Sequence, residues 1–187
     1  MEFLTELWLP IILSAVGVFV VSSIIHMATP MHKKDWAHLD GEEDILADMR
    51  KGDIKPGNYM FPAAQDMKDM SNPEYIAKCE RGPVGYMIIL PSKIWDMNKS
   101  LLHWFLYSLL ISVMTAYVSE FALKGPQEFS EVFRLSGTVA TIAYALASFP
   151  DSIWKGIKWD VTFRFMVDGI FYGLTTGAIF AAMWPAP

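Results

Sequence analysis

The residues best suited to chemistry crowd into one stretch of the chain, "SIIHMATPMHKKDWAHLD", residues 23 to 40. It carries His26, His32, His38 and Asp35, with Met27 and Met31 among them. Imidazole and carboxylate suit zinc or iron, and thioether beside imidazole suits copper, so His26, His32 and His38 make one candidate metal set. Their spacing argues against a compact cluster. His32 and His38 are six residues apart, on opposing faces of any single helix, and Pro30 breaks the geometry between His26 and His32. No signature as specific as His-Glu-x-x-His accompanies them.

The fourth histidine offers a second pairing. His26 ends one apolar run and His103 begins the next, so antiparallel threading sets both rings at the same depth. There they could hold a haem iron or a chlorophyll-type pigment. Histidine is equally at home at a membrane interface as an amphipathic hydrogen-bonder, and no cofactor is expected. Arg164 and Asp168 stand one helical turn apart inside the last apolar run. They read as a self-neutralising ion pair, or as a proton or ion site built on Asp168, because a charge at a helix centre in lipid costs about 2.5–3.5 kcal/mol on insertion scales. Cys79 is alone, which excludes an internal disulfide and a cysteine-based zinc framework. The chain has no Ser-His-Asp order, phosphate-cradling glycine loop or paired-carboxylate signature, and no enzyme is expected.

The elements that must position these residues are written in the hydropathy. Of 187 residues 53% are apolar and 14% aromatic, more than a soluble domain of this size usually carries. The apolar residues cluster in runs long enough to cross a hydrocarbon core of about 30 Å. The fold class expected is an all-α membrane protein with four transmembrane helices, at residues 5–27, 100–123, 133–153 and 162–184. The first is read as a retained helix rather than a signal peptide, since Glu2 and Glu6 replace the positive start a signal needs. Gly169, Gly173, Gly177 and Ala181 recur every four residues and make a smooth stripe on the last helix. Small residues at that spacing allow close helix packing, here against Gly137, Ala140, Ala143 and Ala147 of the third helix or against another subunit.

Orientation follows from the cations. Ten Lys and Arg lie between the first two helices, from Lys33 to Lys99, and Lys155, Lys158 and Arg164 share that side. Only Lys124 and Arg134 fall on the other. The positive-inside rule therefore places residues 28–99 in the cytoplasm and both termini outside. Trp8, Trp104, Trp154, Trp159 and Trp184 fall near helix ends, as interfacial aromatic belts do. The net charge of −5 lies almost wholly in the loops and carries no nucleic-acid signal.

The 28–99 segment is long enough to require structure of its own. Asp40 and Glu43 have capping-box spacing ahead of a helix over 41–51, and Asn72, Pro73 and Gly82 bracket a second short helix. "PVGYMIILP" is too short to span, so it is expected to lie at the interface or to dip in and return.

The strings "IIHMATPMHKKDW", "GNYMFP", "WFLY" and "VDGIFYG" resemble a group of small polytopic bacterial membrane proteins with no assigned activity. The resemblance spans most of the chain and implies a bacterial inner membrane, without any activity, cofactor or site. The leading expectation is a non-enzymatic membrane protein, a homo-oligomer or an accessory subunit of a larger membrane complex, docking through its cytoplasmic segment and the glycine-striped helix. Its partners would be lipids, copies of itself or other membrane subunits. A small channel or transporter using Asp168, Arg164, His26 and His103 is the alternative, and a haem-, pigment-, copper- or zinc-binding protein is the third reading.

Overall fold

The computed structural model describes residues 3–123, 125 and 127–185, and the chain divides into two units. Lys124 and Glu2, used above for orientation and for the start of the chain, lie outside the described residues. The first unit comprises residues 1–35 and 96–187, the second residues 36–95.

The first unit is a helical bundle. A short helix α1 (Phe3–Glu6) leads through Leu7 into α2 (Trp8–Ala28). Three more long helical stretches follow residue 95: α5 (Met97–Ala122), α6 (Phe129–Ala145) continued by a 3-10 turn into α7 (Phe149–Lys155), and α8 (Trp159–Ala182). Four stretches, Trp8–Ala28, Met97–Ala122, Phe129–Lys155 and Trp159–Ala182, are long and apolar enough to cross a membrane. The last three begin three or four residues earlier than apolar counting suggests and the first begins three residues later, and at α5 and α6 caps explain the extension. Asp96 accepts a hydrogen bond from the Lys99 backbone N–H at 3.1 Å, and Glu128 with Glu131 forms a capping box at α6. These polar first turns satisfy free N–H groups that hydropathy cannot see.

The bundle buries small hydroxyl side chains among its apolar ones and turns many of its large apolar residues outward. Ser14, Ser108, Ser112, Thr115, Ser119, Ser136 and Thr176 are buried, whereas Val20, Ile24, Leu110, Met114, Phe171 and Leu174 are exposed. That is the pattern expected where the solvent is lipid and helices associate through small residues rather than by hiding apolar ones. The glycine stripe of α8 faces α6. A Cβ at Gly169 would lie 2.5 Å from the Ala145 Cα, one at Gly177 would lie 2.9 Å from the Gly137 Cα, and one at Gly173 would overlap Thr141. The two backbones are therefore as close as glycine permits. Ala181 packs beside a buried cluster of Leu7, Ile11, Ala116, Val132 and Phe180. Trp8, Trp154 and Trp159 are exposed, as a belt requires, but Trp104 turns inward and donates its indole N–H to the Ser22 hydroxyl at 2.8 Å.

The second unit corrects the wholly helical expectation. It contains α3 (Glu42–Lys51), α4 (Pro73–Arg81) and a two-stranded antiparallel ribbon, β1 (Gly57–Phe61) with β2 (Gly85–Ile89), in which Tyr59 pairs with Met87. The stretch expected to lie at the interface or re-enter is thus β2. Its backbone groups find partners in β1, which an isolated extended segment lacks. Asn72 caps α4 by accepting from the Glu74 N–H at 2.9 Å, and α4 stops at Gly82, whose φ of 63° suits glycine. Asp40 makes no cap: α3 starts after Gly41 at φ 73° without a side-chain hydrogen bond. No described residue of this unit is fully buried.

Candidate functional site

The site forms where α2 ends and the chain turns. Thr29 donates to the Ile25 carbonyl at 2.6 Å and receives the Met31 N–H, while the Lys33 and Asp35 N–H groups bond to the Pro30 and His32 carbonyls. The turn folds the chain back so that the His32 ring stacks on His26, centroids 4.2 Å apart. Phe165 of α8 lies against both rings, at 5.0 Å from His32 and 6.2 Å from His26.

Asp168 faces this stack. Its Oδ2 is 3.0 Å from His32 Nε2 and 3.4 Å from His26 Nε2, and the residue is 1% exposed. Neither contact has the geometry of a directed hydrogen bond. Both Asp168 oxygens and His32 Nε2 are buried without a hydrogen-bond partner among the described residues. The other nitrogen of His32 is firmly held, with Nδ1 2.6 Å from Asp35 Oδ2. Asp35 in turn accepts from the Arg164 Nε at 2.7 Å, and an Arg164 terminal nitrogen donates to Asp160 at 3.1 Å. Burial alone would raise the Asp35 carboxyl, but the bonds from His32 and Arg164 outweigh it and hold it below the usual carboxylate range. An ionised Asp35 can only accept, so Nδ1 of His32 carries the hydrogen in this contact.

This arrangement overturns the expected Arg164–Asp168 pair. Arg164 bonds instead to Asp160, four residues before it, and to Asp35. An acid placed one turn ahead of a base complements the helix dipole, while the reverse order does not, so Asp160 wins the local competition and leaves Asp168 to the imidazoles. The histidine sets change as well. His26 and His32 meet across the Pro30 junction, where spacing gave no geometry, because α2 stops at Ala28 and the turn folds the chain back. His103 is exposed on α5 and does not belong to the three-residue cluster, and His38 is exposed in the second unit. Asp35 was the residue spacing could not assign. Its signal was its place three residues after His32, within reach across a tight turn.

A cleft of about 860 Å³ opens beside the cluster, with His26 and Asp168 on its wall together with Trp104, Tyr107, Tyr144 and Tyr172. The four aromatic rings pack edge-on or tilted with centroids 5.4–6.2 Å apart. Gly169 explains how a carboxylate comes to be buried here: it draws α8 onto Ala145 of α6 one residue beyond Asp168. No family model, curated protein or solved structure matches this chain.

Proposed function

We propose that this chain is a four-span membrane protein that binds a cation at Asp168, a binder or carrier rather than an enzyme. The observation that carries this reading is a carboxylate 1% exposed, neither oxygen with a hydrogen-bond donor among the described residues, on the wall of an aromatic-lined cleft. Packing alone does not account for such a group, since an unpaired polar atom in a membrane bundle costs several kcal/mol by order of magnitude. The charges point the same way: the Arg164 guanidinium is taken by Asp35 and Asp160, while Asp168 contacts the His26 and His32 imidazoles. The accessory-subunit reading drew on the glycine stripe, and that stripe is occupied by α6. The distribution of Lys and Arg supports a cytoplasmic 28–99 segment with both termini outside, and the sequence resemblance supports a bacterial inner membrane.

The test is thermal unfolding of the full chain in lipid nanodiscs with Zn²⁺ or tetraphenylphosphonium, against a neutral quinone. A cation should raise Tm in the natural protein and lose that effect in Asp168→Asn. No shift with either cation, or an equal shift in the variant, overturns the reading.

A transport path is a second reading, favoured by one feature. The hydroxyls of Ser14, Thr115, Ser119 and Thr176 are buried without hydrogen-bond partners among the described residues, and Ser108, Ser112, Thr115 and Ser119 follow one face of α5 for roughly 16 Å. Cation flux into liposomes that falls in Thr115→Val would support it, and flux no higher than in empty vesicles would remove it.

A further inference from the structure

We infer that the ligand of this site is a divalent transition-metal ion, of the zinc or iron(II) class, held by His26 Nε2, His32 Nε2 and an Asp168 carboxylate oxygen. The inference rests on the cation-binding reading above and narrows it to one chemistry.

Four features carry it. The three ligand atoms lie within 4.8 Å of one another. For metal bonds of about 2.0–2.1 Å at tetrahedral angles, neighbouring ligand atoms sit about 3.3 Å apart; the observed separations from Asp168 Oδ2 are 3.0 and 3.4 Å. Those contacts are short yet misaligned as hydrogen bonds, which is how donor atoms sit when they converge on a shared point rather than on each other. Finally, the surrounding groups are those that metal-bound histidine requires. Nδ1 of His32 is bonded to the Asp35 carboxylate, which fixes the ring and leaves Nε2 as the ligand, and Arg164 anchors Asp35.

The donor set selects the metal class. Two imidazoles and one carboxylate are borderline ligands that suit Zn²⁺ and Fe²⁺, whereas Ca²⁺ and Mg²⁺ prefer all-oxygen shells. Met27 lines the cleft at 85% exposure and Met31 packs against an apolar cluster with Val18 and Ile25, so the donor set argued here is nitrogen and oxygen. Three protein ligands leave a tetrahedral ion one position open. With His26 and Asp168 both on the cleft wall, that position faces the cleft and is available to an exchangeable ligand.

The experiment uses the full chain in nanodiscs, stripped with chelator and titrated with Zn²⁺ and with Co²⁺ as a spectroscopic substitute. The expected result is one metal ion per chain, visible Co²⁺ bands of a four- or five-coordinate site, and loss of both in Asp168→Asn and His32→Ala. Asp35→Asn should weaken binding about 10–100-fold without changing the stoichiometry. His38→Ala and His103→Ala should bind as the natural protein does. X-ray absorption of the zinc-loaded natural protein, which needs no variant to fold, should show two imidazoles in a nitrogen and oxygen shell. Failure of the natural protein to bind either metal, binding that survives in folded Asp168→Asn and His32→Ala, or a zinc shell lacking imidazole overturns the inference. If tetraphenylphosphonium binds through Asp168 while neither metal does, the metal assignment falls and the cation reading stands; if no cation binds, both fall.

Discussion

Two neighbouring parts of α8 solve opposite problems. At Gly169, Gly173 and Gly177 the helix is packed so tightly on α6 that an added Cβ would meet its neighbour at less than 3 Å. At Asp168, one residue earlier, the helix buries a carboxylate beside two imidazoles and leaves its oxygens without hydrogen-bond donors among the described residues. The seam is saturated and the cluster is not. Where a fold makes one region as close as sterics allow and leaves the next polar group unsatisfied, the second region is the one with something left to bind. The seam also serves the cluster, because the close approach at Gly169 is what holds Asp168 inside the bundle.

The comparison can be broken most severely at the seam. Gly173→Leu should cost about 3 kcal/mol or more and abolish recovery of folded protein in detergent, because even its Cβ meets the Thr141 backbone N at 2.8 Å and the helices must separate. Size-exclusion recovery and helical circular dichroism measure this. At the cluster the same helix should behave in the opposite sense. Asp168→Asn, in chelator, should raise stability by on the order of 1 kcal/mol by removing an undonated buried charge, while ending cation binding; a fall in Tm would mean that the imidazoles already satisfy the carboxylate. Trp104→Phe removes the indole bond to Ser22 and should cost about 1 kcal/mol in denaturant or thermal unfolding, testing whether the cleft wall is held by that bond. The smallest effect belongs to Lys155→Ala. Its pair with Asp151 is exposed, so Tm should move by no more than a few tenths of a kcal/mol equivalent.

Legibility in the sequence divided along similar lines. The four long helices stand out because hydropathy sums over neighbours in the chain, and polar caps account for the earlier starts of α5 and α6. The glycine repeat was visible for the same reason, though its partner was not. In the second unit, Asn72, Pro73 and Gly82 marked α4 through local backbone chemistry, while β2 went unseen because its pairing to β1 joins residues about thirty apart, such as Tyr59 with Met87. At the site, His26 and Asp168 were recognisable as unusual groups in apolar runs. Their partners were not: one-turn spacing pairs Arg164 with Asp168, and no spacing rule carries His32 across the Pro30 junction to His26.

What the amino-acid sequence determined by itself is the four long apolar helices, the small-residue face of α8 and the clustering of Lys and Arg in the segments between them, all properties of adjacent or periodically spaced residues. The tertiary structure alone decided which charges meet. Arg164 reaches Asp35 across 129 residues of sequence, and His32 joins His26 only through the turn after Ala28. Charge pairing depends on distances through space of a few ångströms, and those are set by backbone turns and helix seams that no local pattern encodes.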